Sequence, residues 1–231
     1  MAAAFKWRNA TNNAFTGANT SVNVGGSGTA PLFTDGSYTA GDILIACVIV
    51  ESDAGDTINP PGGWTTVAPQ RETTTGHFQT GWFWHLCDGS ETGSFHFTWT
   101  NSHFMAWTLT NYSGCVASPF DGTPVSGTGT TTFTTSSVTT SNAGSLLVLL
   151  TGNGAVTTIP PADMTNRFNQ NMESDSAGGT INDRTPGAPG TYSESFSITN
   201  GSGEGNWMLA ALAPLGSTVP QGQIGLTASE W

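Results

Sequence analysis

Two stretches of this 231-residue chain decide its fold: AGDILIACVIV at residues 40–50 and AGSLLVLLTGN at residues 143–153. Each starts with Ala-Gly and one polar residue and continues as a short run that is almost entirely apolar. Apolar runs of this length between turn residues indicate buried strands, and their lack of alternation predicts that both faces are covered. We therefore expect one fully buried strand in each half of the chain.

The sequence around these strands also repeats, with the two copies about 100 residues apart. The matching motifs are INPPGGWT (58–65) with IPPADMT (159–165), FTWTN (97–101) with FSITN (196–200), and MAWTLTNYSG (105–114) with WMLAALAPLG (207–216). Each Pro-Pro pair blocks further ladder hydrogen bonds and turns the chain. The half-repeats, about 38–116 and 131–216, would each supply about four strands and bury their apolar faces against each other. This arrangement is a jelly-roll-like β-sandwich.

The overall composition supports an all-β fold. The chain has 37 threonines, 22 serines, 30 glycines and 12 prolines, and only 9% of its residues are charged. Threonine favours pleated sheet, glycine and proline favour turns, and so few charges do not suit long solvated helices. We expect one sandwich domain over residues 12–216, with a polar edge strand near 131–140 and extended arms at 1–11 and 217–231.

Charge and cysteine content exclude several classes of protein. The net charge is −11, so nucleic acid and anionic membrane surfaces are not expected partners. The N-terminal residues lack the apolar core of a signal peptide, and no stretch approaches the ~20 apolar residues of a membrane span. The three cysteines, an odd number without C-x-x-C spacing, favour buried thiols over a disulfide framework.

The order of these motifs resembles a β-sandwich module common in tailed-bacteriophage virion proteins and bacterial surface proteins. The resemblance covers most of residues 38–216 and rests on the glycine-led apolar strand, the Pro-Pro turn and the Trp-bearing strand ending in Tyr-Ser-Gly. The polar stretch 169–189 departs most from the pattern. The resemblance implies a structural or binding role rather than a named activity.

Two groups of side chains could supply metal ligands. If a hairpin turns at Asp88-Gly89, His85 and His96 become cross-strand neighbours, but zinc needs three or four ligands, and an outward-facing polar pair is favoured. The acidic loop with Glu51, Asp53 and Asp56 could offer oxygens to calcium, but its spacing fits no EF-hand, and a solvated loop is favoured. We expect no cofactor. No nucleophile elbow or paired carboxylates point to an enzyme.

The eight tryptophans suggest two uses. Trp64, Trp99, Trp107 and Trp207 lie in repeated motifs and are expected in the core. Trp82 and Trp84 share one strand face, which is favoured as core but would make a sugar-stacking platform if it faced solvent.

Phe5, Trp7 and Trp231 fall outside the repeat, and aromatic side chains of this kind anchor interfaces. The leading hypothesis is a non-enzymatic virion protein, made in the host cytoplasm and carried on the particle. It would cement the capsid shell through these aromatic arms, as a homo-oligomer bound to other virion subunits. The alternative is a tail or fibre module that binds a carbohydrate receptor through Trp82 and Trp84.

Overall fold

The computed structural model describes residues 2–10, 19–24, 38–51, 55–73, 78–91, 94–103, 105–153, 157–171, 178–199 and 204–216. Within these ranges every regular element is a β-strand, so the all-β class is confirmed. None of the described residues forms a helix that is long and apolar enough to cross a membrane.

One antiparallel five-stranded sheet, the first inner sheet, is built around the strand of residues 40–50. Its strands are β1 (Ala4–Ala10), β3 (Ile43–Glu51), β4 (Thr65–Glu72), β5 (Phe78–Leu86) and β7 (Met105–Ser113). Their order is β1-β7-β3-β5-β4. Strand β3 is buried from Ile43 to Val50, which confirms that both of its faces are covered.

The second inner sheet is built in the same way around the strand of residues 143–153. Its strands are β8 (Cys115–Phe120), β9 (Val125–Thr130), β12 (Leu146–Asn153), β14 (Thr165–Asn171), β15 (Gly178–Arg184) and β18 (Glu204–Pro214). The order is β14-β15-β12-β18, and the far side of β18 is covered by β8 and β9 in succession. Strands β12 and β18 are buried at every position.

Short strands form outer layers on both sides. On the first half they are β2 (Asn19–Val24) and β6 (Phe95–His103), which pair with each other. On the second half they are β10 (Thr132–Thr134), β11 (Val138–Thr140), β13 (Thr157–Ile159), β16 (Gly190–Tyr192) and β17 (Ser195–Thr199). The order β10-β17-β13 makes one small sheet, and β11 pairs with β16.

Three apolar clusters hold these layers together. The central cluster lies between the two inner sheets and includes Ile45, Trp82 and Val148. A second lies between the first inner sheet and β2–β6, and a third between the second inner sheet and its outer strands. The β-sandwich is therefore confirmed, but each half is itself two layers thick. Burying both faces of β3 and of β12 requires these outer layers.

The topological repeat is longer than the sequence repeat of 38–116 and 131–216. Strands β1, β7, β3, β5 and β4 take the positions that β8–β9, β18, β12, β15 and β14 take in the other half. An isolated bridge between Asn59 and Thr98 takes the place of β13 beside β17. The halves therefore run over residues 4–113 and 115–216.

Two segments differ from the sequence-based expectation. Residues 4–10, which were expected in an arm outside the sandwich, form the edge strand β1 of the first inner sheet. The single edge strand expected near 131–140 is two short strands, β10 and β11, in different outer sheets. Thr131, with a φ of 37°, precedes the first of them.

The two inner sheets pack face to face; the β4 edge of the first sheet lies beside β9 of the second, and the β1 edge of the first lies beside β14 of the second. At one side Arg71 of β4 donates to Ser126 of β9, from Nε to Oγ at 3.0 Å and from a terminal nitrogen to the carbonyl at 3.0 Å. Nearby, Asn206 Nδ2 donates to the Arg71 carbonyl at 3.0 Å and to Thr80 Oγ1 at 3.0 Å. At the other side Phe5 of β1 meets Arg167 of β14.

Candidate functional site: the groove that holds β1

Strand β1 lies at the edge of the first inner sheet and pairs antiparallel with β7. The register runs from Ala4 opposite Ser113 to Ala10 opposite Thr108, with a shift between Phe5 and Trp7. Backbone ladders of this kind attach an extended segment to a sheet edge, while side chains on alternate positions set its register. The backbone edge of β7, together with the side chains around it, is called the β1 groove below.

The aromatic side chain of Phe5 fills the apolar part of the groove. Its ring meets that of Tyr112 edge-on, with centroids 5.9 Å apart and planes at 73°. The guanidinium carbon of Arg167 lies 4.7 Å from the Phe5 ring centroid. Edge-to-face and cation–π contacts are each worth about 0.5–1.5 kcal/mol when partly buried. Phe5 is therefore half-buried in this molecule rather than displayed to solvent.

The polar part of the groove is centred on the buried carboxylate of Asp42. Lys6 Nζ lies 2.6 Å from Asp42 Oδ2 and 3.1 Å from Thr39 Oγ1. The same carboxylate oxygen accepts bonds from the Thr39 backbone and from Asn111 Nδ2, both at 3.0 Å. A buried charge is costly unless it is paired, so the single lysine in the sequence supplies the cation that this carboxylate needs.

The second half of the chain supplies the far wall of the groove. The buried carboxylate of Asp183 accepts hydrogen bonds from Nε and from a terminal nitrogen of Arg167, at 2.9–3.1 Å. Burial raises the pKa of Asp183 despite these bonds to Arg167. Burial likewise raises the pKa of Tyr112 well above its ordinary value, so its hydroxyl stays protonated. The bidentate pair fixes the guanidinium over which Phe5 lies.

Of the three aromatics predicted as interface anchors, one is described in full. Phe5 lies in the groove. The backbone of Trp7 pairs with Asn111, and its side chain lies outside the described part of the chain. Trp231 also lies outside the described residues.

Trp82 and Trp84 lie on the inner face of β5, between the two inner sheets. Trp82 is 0% exposed, and Trp84 is partly buried, with its ring 5.7 Å from that of Phe120. This placement agrees with the core interpretation and leaves no tryptophan platform there for a sugar ring. The four tryptophans of the repeated motifs are also buried, as predicted, at Trp64, Trp99, Trp107 and Trp207.

The structure does not pair His85 with His96. Strand β5 pairs with β3 and β4, whereas β6 pairs with β2 in the outer layer, so the expected hairpin at Asp88-Gly89 does not form. His85 instead contacts the Gly63 carbonyl through Nδ1 and Glu91 Oε1 through Nε2, each at 2.9 Å. Its ring stacks on Trp64 with centroids 5.4 Å apart. His96 lies on the exposed face of β6.

The acidic loop is only partly described. Glu51 ends β3 and is half-buried, Asp56 is buried and accepts Asn101 Nδ2 at 3.0 Å, and Asp53 lies outside the described residues. Within the part of the chain that is described, no three His, Cys, Asp or Glu side chains are grouped as a metal site.

Several buried carboxylates have structural roles that sequence reasoning missed. Asp121 is fully buried and accepts the backbone N–H groups of Ser141 and Asn142 at 2.9–3.1 Å, as well as Ser145 Oγ at 2.6 Å. Buried Glu194 accepts two bonds from Arg184 at 2.8–2.9 Å. Sequence spacing gave no signal for these pairs, because their partners lie 10–24 residues away.

Compared with known proteins, the chain matches no protein-family model, no curated protein and no solved structure.

Proposed function

We propose that this chain is a non-enzymatic structural protein of a tailed-phage virion, most simply one that decorates and cements the capsid shell. The observation that carries the proposal is the attachment of β1: an extended segment is held at a sheet edge by a backbone ladder and two anchoring side chains, Phe5 and Lys6. Such an attachment is adhesive rather than catalytic. The motif resemblance to virion sandwich modules supports the same role.

The mechanism would be stabilisation by binding. A protein that binds the assembled shell but not its dissociated subunits shifts the equilibrium towards the assembled state in proportion to RT ln(1 + [L]/Kd). Two inner sheets joined by a continuous apolar cluster give a rigid body for this purpose. Because Phe5 packs within the molecule, contacts to neighbouring virion subunits would have to come from other surfaces or from the predicted arm at residues 217–231, which lies outside the described residues.

A tail or fibre receptor-binding role is the alternative proposal. It would need a sugar-binding surface other than Trp82 and Trp84, because those side chains lie in or against the core between the sheets. The cementing role is therefore preferred.

Immunogold labelling of purified particles from the source tests the proposal, with an antibody raised against the recombinant chain. Gold spread over heads is the expected result. Gold confined to tails or fibres would favour the receptor-binding alternative, and particles without gold would refute a virion role. Pre-immune serum and particles of an unrelated phage are the controls.

A further inference from the structure

We propose that Lys6 and Asn111 are the partners of an intramolecular amide cross-link, formed with Asp42 as the proton carrier, that joins β1 covalently to β7. This inference concerns a modification within one molecule and stands whether or not the chain is a virion protein. Such a reaction needs a nucleophilic amine, an electrophilic carboxamide and an acid–base group that contacts both, in a place shielded from water.

A single carboxylate oxygen contacts both reacting groups. Asp42 Oδ2 lies 2.6 Å from Lys6 Nζ and accepts a hydrogen bond from Asn111 Nδ2 at 3.0 Å. The side chain of Asp42 is 5% exposed and Asn111 is 0% exposed, so the carboxylate and the carboxamide are shielded from bulk water. Groups held together in this way react far faster than the same groups in solution, because folding has already brought them into contact.

A bulge in β1 directs the lysine to this place. The register shifts between Phe5 and Trp7, so Lys6 is the extra residue of the bulge. Trp7, next to it, lies opposite Asn111 on β7. Bulges of this kind redirect a side chain at the edge of a sheet. Asp42 immediately precedes β3, which is the neighbour of β7 on its other side. The three reacting side chains are therefore brought together by three adjacent strands.

The carboxamide of Asn111 is not explained by hydrogen bonding or by packing. Its Oδ1 is buried and accepts no hydrogen bond within the described part of the chain. A buried polar atom of this kind costs free energy, and a chemical role is one explanation for it. In the second half, the matching position is Ala211: Leu44 lies opposite Asn111 and Leu147 lies opposite Ala211, and both leucines lie 3 residues after the glycine of their motif. Alanine satisfies the fold there.

The second half also closes this corner of the sheet without an amine. There Asp121, whose backbone N–H donates to the Ala211 carbonyl, accepts a hydrogen bond from Ser145 Oγ at 2.6 Å. Ser145 follows the glycine of its motif as Asp42 follows the glycine of the first motif. A carboxylate and a hydroxyl therefore meet where the first half has an amine, a carboxylate and a carboxamide. Only the first half has the groups that can form an amide.

The reaction balances without any further reagent. Asp42 takes a proton from the ammonium group of Lys6, and the neutral Nζ attacks Cγ of Asn111. The bond between Nζ and Cγ forms and the bond between Cγ and Nδ2 breaks. Two protons pass from Nζ to Nδ2 by way of Asp42, so the nitrogen leaves as ammonium and Asp42 regains its carboxylate. Nothing is oxidised or reduced, and the chain loses one ammonia.

Intact-mass spectrometry of the denatured full-length chain tests the inference. We expect a mass lower by one ammonia than the mass calculated from the sequence. Digestion should release a branched peptide that joins the segments around Lys6 and Asn111, which distinguishes this link from succinimide formation at an Asn-Gly sequence, since that also releases ammonia. An unchanged mass, or a loss of ammonia without the branched peptide, would overturn the inference. Loss of one water, with Lys6 joined to Asp42, would overturn the role of Asn111.

Two variants keep the site filled while removing one chemical step. K6R keeps a cation beside Asp42 but replaces the nucleophilic amine by a guanidinium, so no link should form. D42N keeps the size of the side chain and removes the proton carrier, so linking should slow by about 100-fold or more. The matched control E194Q removes another buried carboxylate that is paired with a cation, and it should keep the link in full. A D42N chain linked as fast as wild type would refute the role of Asp42.

Amine labelling gives a second readout, because Lys6 is the only lysine in the sequence. In the denatured wild-type chain an amine-reactive reagent should modify the α-amino group alone, and trypsin should not cleave after Lys6. Denatured D42N should be labelled and cleaved at Lys6. Equal labelling of Lys6 in the two chains would overturn the inference. The wild-type measurements need no variant, so a variant that fails to fold leaves the test intact.

Discussion

Replacing the buried carboxylate of Asp121 by alanine should destabilise the second half of the sandwich. Asp121 follows β8 and accepts hydrogen bonds from the turn at residues 141–145, which leads into the central strand β12. Asp121→Ala removes the acceptor for two backbone N–H groups and two serine hydroxyls. The turn that positions β12 would then lose its link to the β8–β9 connection.

The magnitude follows from which donors remain without an acceptor. Ser145 Oγ retains the Asn142 carbonyl at 3.1 Å, so its loss is small. The two backbone N–H groups have no such substitute, and each bond to a charged group contributes about 1.5 kcal/mol or slightly less when partly solvated. The expected loss is therefore about 2–3 kcal/mol of unfolding free energy. At about 3 °C per kcal/mol for a domain of this size, Tm should fall by about 6–9 °C.

The pH dependence of the effect has a definite sign. Burial alone would raise the pKa of Asp121, but hydrogen bonds from the turn outweigh it and hold that pKa below its ordinary value. A lowered acid pKa stabilises the folded state above the unfolded-state pKa of about 3.9, and this stabilisation is lost as pH falls through the folded-state value. The Tm difference between wild type and variant should therefore be constant from pH 6 to 8 and shrink below about pH 4.

Calorimetric or circular-dichroism melts at these pH values measure the effect. The matched control is Asp88→Ala, which removes one carboxylate that also accepts a serine backbone N–H and hydroxyl, but on an exposed turn. That variant should melt close to wild type. A Tm for Asp121→Ala within 1 °C of wild type at pH 7, or a difference that grows on acidification, would refute the reasoning.

Three further predictions concern the interior. Gly152→Ala should lower the free energy of unfolding by about 1–3 kcal/mol, because the new Cβ would lie 2.8 Å from Ile49 across the central interface. The control is Gly62→Ala, whose Cβ would have nothing within 4 Å. Equal Tm values for the two variants would contradict close packing at Gly152. Asn206→Ala should lower the free energy of unfolding in urea by about 1–3 kcal/mol, since the Thr80 hydroxyl and two backbone carbonyls of the first inner sheet lose their hydrogen-bond donor. An unchanged urea midpoint would contradict a stabilising role for these hydrogen bonds between the two sheets. The three thiols, Cys47, Cys87 and Cys115, are buried, and burial raises the pKa of each, to about 12 for Cys87 and Cys115. The folded chain should therefore react with Ellman's reagent at pH 8 only after unfolding. Stoichiometric labelling of the native protein would disprove this.

The central strands were predictable because hydrophobic pattern reports burial directly. The uninterrupted apolar runs of β3 and β12 predicted strands covered on both faces, and the sequence of β5 predicted that Trp82 and Trp84 share one face in the core. Both expectations are confirmed. Burial of Trp64, Trp99, Trp107 and Trp207 was expected from their places in the repeated motifs, and it is confirmed.

The outer layers and the hairpin were not predictable from local signals. Asp88-Gly89 does form a turn, with Gly89 at a φ of 88°, but the Glu91 carboxylate accepts its backbone N–H groups and the chain then leaves the inner sheet. Strand β6 must cover the outer face of the first inner sheet, where Phe97 packs against Phe83, so it cannot also pair with β5. The Asp-Gly sequence predicts a turn, but it does not predict the layer of the sandwich in which the next strand lies.

The groove was missed because its groups are distant in sequence. Lys6 and Asp42 are separated by 36 residues, and Arg167 comes from the other half of the chain. Phe5 was singled out only because it lies outside the repeat. Nothing in a single sequence indicates that the lone lysine would neutralise the residue that follows the glycine of the first central strand.

In a chain made of two halves with the same strand order, each half serves as a comparison for the other. The inner sheets agree in four of five positions, strand for strand, and the difference is confined to the edge beside β7 and β18. In the second half β8 and β9 cover the edge of β18; in the first half β1 covers the edge of β7, and its Lys6 pairs with the buried Asp42. Apolar packing would be satisfied by either arrangement, and the charge pair adds selectivity for the register of β1, because a shifted strand would leave the buried Asp42 carboxylate without its cation.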